Sequence, residues 1–329
     1  MSRTWGYWTR GKLDVLRDYL DAFTTTTKYK APSERIYLDL FAGETDNRDR
    51  ITNEEIQSSA QIALSTSNPP FTRLRFFEVK DKARELESSL LAANPGRDIK
   101  VYGGDCNEKI VRALAELRAF AWAPTFAFID PNGLEAKWCT LKRLSKFRTG
   151  KYKTELFLLF SPQMFSRILP TRGRDLRPED EGTIDAVFGV GSWRHIYDRR
   201  LDKSLSGEQA REEYLNLMRW RLEADLGYKW THPLELKNTR GSSLYFMIFA
   251  TTNPAGHRIM GDLYDRAARQ FPAMQAEARR RIQQIDEESS GIMRLFPDDS
   301  GLRATEAFDE RLYLHEPPIR PSFLKSEPL

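Results

Sequence analysis

Five short strand-like runs, each followed by a helical segment, constrain this chain more than any other feature. They are Tyr37–Phe41, Arg73–Val79, Ile99–Tyr102, Thr125–Ile129 and Glu155–Phe160. The last two are apolar almost throughout, as central strands of a sheet covered on both faces must be. The intervening stretches 54–64, 82–92, 107–121 and 136–147 carry apolar residues at helical spacing, and Asn94-Pro95-Gly96 is a stop signal between two of them. Strand and helix in alternation predict a parallel sheet.

Later the rhythm changes. Residues 229–237 and 244–251 read as strands joined only by Asn238-Thr239-Arg240-Gly241-Ser242, too short for a crossover helix, so this pair must be antiparallel. Five parallel strands and a terminal antiparallel hairpin are the arrangement of a Rossmann-like, class I methyltransferase fold. The expected sheet is therefore seven-stranded and mostly parallel.

Around it the chain divides into an N-terminal helical arm (1–28), the α/β domain (29–285) and an irregular C-terminal extension (286–329). The stretch from Gln163 to about Leu205 is too long for a simple loop and follows the carboxyl end of a strand. It is expected to lie over the ligand face as a substrate-side insertion.

In an open parallel sheet, ligands bind at the carboxyl ends of the strands. Four successive runs place an acid there: Asp39, with Phe41-Ala42-Gly43 behind it; Glu78, with Val79 beside it; Asp105, with Cys106 beside it; and Asp130, in Asp130-Pro131-Asn132-Gly133. Any one of these acids could simply cap a turn. Four in register point to a ligand. Gly43 would let backbone N–H groups approach it closely. Glu78, about 40 residues after the first acid, suits paired ribose hydroxyls, and Asp105 suits an exocyclic adenine amine. No Gly-x-Gly-x-x-Gly follows the first strand and no Gly-Lys-Ser/Thr loop occurs, which argues against a dehydrogenase or a kinase.

The Asp130-Pro131 segment resembles the Asp-Pro-Pro-aromatic or Asn-Pro-Pro-aromatic motif of amino-directed methyltransferases, in which the carboxylate or amide and a backbone carbonyl hold the target amine. Asn132 stands in place of the second Pro and Gly133 in place of the aromatic. Trp138 is either a substitute stacking element or a core residue. Over residues 5–275 the chain resembles the three-Cys-motif partner protein family (TcmP). The resemblance rests on Trp8…Lys12-Leu13…Tyr19-Leu20, on Tyr37–Gly43, on Phe128–Pro131 with Gly133, and on Phe249–Pro254 with Gly256. It implies a methyltransferase-like fold with S-adenosyl-L-methionine (SAM) as cofactor. Asp39, Phe41, Ala42 and Gly43 would then hold the amino-acid end of SAM. Glu78 and Val79 would hold the ribose side, Asp105 and Cys106 the adenine. Asp130, Pro131 and Asn132 would orient an acceptor nitrogen. One departure is Thr45, where related sequences have a second Gly; its β-branch adds bulk beside the cofactor.

Two function classes follow. The first is a SAM-dependent methyltransferase, with a nucleobase in RNA or DNA as a candidate acceptor. The second is a non-catalytic methyltransferase-like protein that engages nucleic acid or a Cys-rich protein partner. Trp193, Arg194 and Tyr197, in the insertion, could stack on a nucleobase and contact its phosphate, or could equally be packing. Trp5, Tyr7, Trp8 and Arg10 raise the same question for a docked arm.

Composition sets outer limits. Fifty-one Lys and Arg against 47 Asp and Glu give a net charge of +4, too mild to imply nucleic acid by itself. Lys142, Arg143, Lys146, Arg148, Lys151 and Lys153 form an acid-free run before the fifth strand, read as a solvated helix end facing away from the site in preference to a nucleic-acid track. Arg266, Arg269, Arg279, Arg280 and Arg281 mark another solvated helix. Two cysteines, Cys106 and Cys139, cannot make a disulfide framework or a Cys-rich metal site, so no metal is expected. No apolar run approaches the roughly 20 residues of a membrane span, and no signal-peptide core follows Met1. A cytoplasmic location is the expectation.

Overall fold

Residue parity along the strands builds the molecule. In the computed structural model, which describes residues 3–28, 34–43, 47–49, 54–170, 175–290 and 315–324, alternate residues of each central strand enter two separate cores. Ile36, Leu38, Ala127, Ile129, Leu156 and Leu158 face one side. Tyr37, Phe126, Phe128, Phe157 and Leu159 face the other. Both sets are buried, as a sheet sandwiched between helices requires.

The strands are β1 (Arg3–Trp5), β2 (Ile36–Asp39), β3 (Asn47–Asp49), β4 (Glu55–Ile56), β5 (Arg73–Glu78), β6 (Asp98–Gly103), β7 (Thr125–Ile129), β8 (Glu155–Phe160), β9 (Trp230–Lys237) and β10 (Ser243–Thr251). The helices are α1 (Tyr7–Thr27), α2 (Ser59–Ser65), α3 (Lys80–Ala93), α4 (Cys106–Glu116), α5 (Trp138–Phe147), α6 (Gln163–Ile168), α7 (Pro178–Phe188), α8 (Arg194–Leu201), α9 (Gly207–Ala224) and α10 (Pro254–Ser290). The main sheet has seven strands in the order β6-β5-β2-β7-β8-β10-β9. Its first five strands are mutually parallel, and β10 runs antiparallel to both β8 and β9. This is the Rossmann-like arrangement expected from the sequence. The chain reverses its direction of travel across the sheet between β2 and β7, which makes their carboxyl ends the topological switch point.

Four parts differ from expectation. The N-terminal segment is not an arm, because α1 is one of the helices that cover the sheet. Leu16, Tyr19 and Leu20 are buried there, and the Tyr19 ring lies 4.7 Å from Phe249 and 5.5 Å from Phe126. The insertion is helical and joins the core beside β8, where Phe165, Phe188 and Trp193 are fully buried, so it does not lie loosely over the ligand face. A small second sheet, β1-β3-β4, ties the start of the chain to the segment after Gly43. The last helix runs to Ser290, past the expected boundary at 286, and residues 315–324 dock on α9. There Asn216 exchanges two hydrogen bonds with the backbone of Ile319, at 2.7 and 2.9 Å.

The Phe249–Gly256 segment is explained by its packing at the amino ends of the strands. Glu155 is buried and accepts from the Tyr19 hydroxyl (2.6 Å) and from Thr251 Oγ1 (2.8 Å). Thr251 Oγ1 in turn accepts from the Asn253 backbone N–H, and Asn253 Oδ1 accepts from Ala255 N, starting α10 with Pro254 at its first position. A Cβ on Gly256 would stand 2.6 Å from Glu155 Oε1 and 2.7 Å from the Tyr19 hydroxyl, so only glycine fits.

Candidate functional site

A cleft of about 630 Å³ opens at the switch point. β2 leads into Phe41-Ala42-Gly43, which line it. Gly43 takes a φ of +66°, a conformation that favours glycine, and a Cβ there would meet nothing within 4 Å. Its N–H donates to Glu78 Oε2 at 2.7 Å, while the Val79 N–H donates to Oε1 at 2.9 Å. Two backbone donors thus fix the carboxylate at the end of β5, and each oxygen keeps a lone pair for a ligand hydroxyl. Val79 lies beside it with more than half its surface exposed, an apolar contact for a flat ring.

Asp105 caps α4. Its Oδ1 accepts from the Asn107 backbone (2.8 Å) and side chain (2.7 Å), and Lys137 Nζ stands 3.3 Å from Oδ2. Burial works to raise its pKa, but these donors outweigh it and hold the carboxyl below its ordinary value. Asn107 is the hub of this wall. It donates to the Glu135 carbonyl (2.8 Å) and accepts from Thr140 Oγ1 (2.8 Å) and the Lys137 N–H (3.1 Å). From sequence Asn107 is only the start of a helix; a second short polar residue following the cap acid is the available signal. Cys106 is buried against the cleft. Burial first, and then the Asp105 charge, push its thiol up to about 12, so it stays protonated and is no nucleophile.

Asp130 follows β7 and faces the cleft, where it forms an ion pair with Lys12 of α1. The Lys12 side chain is only 7% exposed against 26% for Asp130, and its ammonium lies 5.9 Å from the Phe128 ring centroid. Asp130 Oδ2 takes the lysine, and Oδ1 accepts from no described residue. Lys12 stands in the Trp8…Lys12-Leu13 stretch, where its spacing gives it no role. It is 118 positions from its partner, so no local pattern announces the pair.

The cleft therefore brings together Phe41, Ala42, Gly43, Glu78, Val79, Asp105, Cys106, Asp130 and Asn132, with Lys12, Asn107, Ser59 and Lys137 added by the fold. Five residues from the sequence reading fall elsewhere. Asp39 is fully buried under the cleft floor, accepting from the Tyr37 hydroxyl (3.2 Å), the Phe41 N–H (3.4 Å) and Ser59. Burial pushes its carboxyl up to about 7. Pro131 lines a separate small apolar pocket with Leu134 and Leu158.

Trp193, Arg194 and Tyr197 hold the insertion together. Trp193 Nε1 donates to Asp185 (2.7 Å), Arg194 pairs with Glu181 and Asp185, and the Tyr197 hydroxyl donates to the Pro170 carbonyl (2.7 Å). Trp138 is likewise buried, in the core on that side of the sheet. Thr45 lies outside the described residues. Among the described residues no cluster of His, Cys, Asp and Glu is arranged for a metal ion, and no helix is long and apolar enough to cross a membrane.

What fold and site define is a Rossmann-like α/β protein with a polar-rimmed cleft at its topological switch point. No protein-family model matches the chain, and no curated protein matches it either.

Proposed function

We propose that this chain is a SAM-dependent methyltransferase of the amino-directed type, related to the TcmP family. The observation that carries the reading is Glu78, held by the Gly43 and Val79 N–H groups, in one cleft with the strand-end acids Asp105 and Asp130. SAM, when bound, supplies an electrophilic methyl group on a sulfonium. The residues at hand match its parts. Glu78 would accept from the ribose hydroxyls, Val79 would offer the adenine an apolar contact, and Asp105 would accept from its exocyclic amine. Phe41, Ala42 and Gly43 border the amino-acid end, with the Lys12 ammonium as the nearest match for a carboxylate. The free oxygen of Asp130 accepts an N–H of the acceptor and aims its lone pair. Such positioning supplies much of the acceleration in a two-substrate displacement. Labelled SAM mixed with RNA or DNA tests this reading. Transfer to the nucleic acid, lost in Asp130→Ala, supports it; transfer that survives in Asp130→Ala removes Asp130 from the mechanism.

One observation favours the second reading, a non-catalytic partner built on this scaffold. Lys12 already occupies the carboxylate that an acceptor amine would need. Under that reading no methyl group moves, with or without SAM bound, and association with a Cys-rich protein or a nucleic acid is unchanged by Asp130→Ala.

A further inference from the structure

The face of α5 turned from the cleft carries a second constellation. Trp138, Lys142 and Lys146 stand four residues apart and so line up along the helix, about 6 Å from one to the next. Trp138 and Lys142 enter the wall of a separate recess of about 390 Å³, closed by Trp220, Arg221, Arg320 and Leu324. The Arg221 guanidinium lies 4.3 Å from the Trp138 ring centroid, and that of Arg320 lies 5.9 Å from Trp220. The one carboxylate there, Asp225, is already engaged by Arg221 at 2.6 Å.

At the other end of α5, Arg148 donates to the carbonyls of Trp122 (3.2 Å) and Lys153 (3.3 Å), pinning the basic loop beside Trp122. Trp122 is 43% exposed, an unusual placement for so large a ring. None of Lys142, Arg143, Lys146, Arg148, Lys151 and Lys153 forms an ion pair with a described residue. The solvated helix ends elsewhere do otherwise: Arg269 pairs with Asp265 and Arg281 with Glu277.

We propose that this face is a docking track for single-stranded nucleic acid, with the recess taking one base. Regularly spaced cations without carboxylate partners follow a phosphate backbone, and exposed aromatic rings stack on bases irrespective of sequence. The recess is large enough for a base and its sugar, whereas a flat lipid surface would leave it empty. Recess and cleft are neighbours along the chain: Lys137 lines the cleft and the next residue, Trp138, lines the recess. The track itself requires no cofactor, so it stands apart from the methyltransferase reading.

Fluorescence anisotropy with a labelled single-stranded RNA or DNA of about 20 nucleotides tests the track on the full chain without SAM. Binding is expected at about 50 mM salt, weakening at least about tenfold at about 200 mM. Lys142→Glu with Lys146→Glu, both exposed positions, should weaken it at least about tenfold while circular dichroism shows an intact fold. Trp220→Leu should weaken it without changing the salt dependence. The control pair Arg266→Glu and Arg280→Glu on α10 should leave it unchanged. Absence of binding at low salt, an equal loss in the α10 control, or indifference to the α5 reversal overturns the proposal. So does equal, reversal-sensitive binding to phosphatidylserine vesicles.

Discussion

At the scale of single residues, burial redefines two of the strand-end acids. Asp39 shares the parity of Tyr37 in β2, so it faces α2 and the aromatic core and lies beneath the cleft without lining it. That parity was legible in Ile36-Tyr37-Leu38-Asp39, two residues from a buried Tyr, although being at a strand end suggested a ligand role. Its carboxyl, raised by burial to about 7, binds a proton more tightly folded than unfolded. The stability it contributes is full below the unfolded value near 3.8 and is lost as pH rises towards 7. Asp39→Asn is therefore expected to raise Tm at pH 8, by the equivalent of about 1–3 kcal/mol, with a smaller gain at pH 5.

Lys12 and Asp130 predict an asymmetry. Asp130→Ala strands a buried ammonium and should cost about 2–4 kcal/mol in a denaturant melt. Lys12→Met leaves a carboxylate that reaches water and should cost distinctly less. Equal losses would mean that the lysine is not the buried partner.

At the scale of elements, the strands were legible wherever their apolar pattern was continuous. Thr125–Ile129 and Glu155–Phe160 have the expected limits because every residue in them is buried. β3, Asn47–Asp49, was not legible; three polar residues carry no alternation, and only its pairing with β1 and β4 defines it. Of the insertion, the sequence showed aromatics and arginines but not their destination. An amphipathic or aromatic helix looks the same whether it covers a sheet or a ligand, and here Asp185 and the Pro170 carbonyl settle the matter by taking the polar atoms of Trp193 and Tyr197. The junction of β10 and α10 gives the prediction at this scale. Gly256→Ala crowds Glu155 and Tyr19 and should cost about 1–3 kcal/mol. A second change, Tyr19→Phe, removes one of the crowded atoms and should recover part of that loss in the same melt.

At the scale of the whole molecule, the chain places its polar groups at two ends of one sheet. Three of its four histidines meet where β9, α10 and residues 315–324 come together. His232 Nε2 and His257 Nδ1 share a hydrogen bond at 2.7 Å, and His315 lies 3.7 Å from Glu223. Burial first, then His257, His315 and Arg219, push His232 down to about 3; burial, His315, Arg258 and Lys229 lower His257. A depressed histidine stays neutral in the fold, so its contribution is whole above pH 6.5 and is lost as pH falls from there towards 3. The Tm of the full chain should drop across that window, and His232→Gln should flatten the drop.

At the opposite ends of the strands, the topology alone places Gly43, Glu78, Asp105 and Asp130 around one opening. This is why those positions could be read from sequence while Lys12, brought from a distant helix, could not. The central claim is that this opening holds SAM. Titration calorimetry of SAM into the full chain, with Glu78→Ala alongside, tests it most directly. The account predicts one site per chain with a Kd of roughly micromolar size, weakened at least about tenfold in Glu78→Ala. No heat of binding at about 1 mM SAM to folded protein, or equal binding by the Glu78 variant, would contradict it.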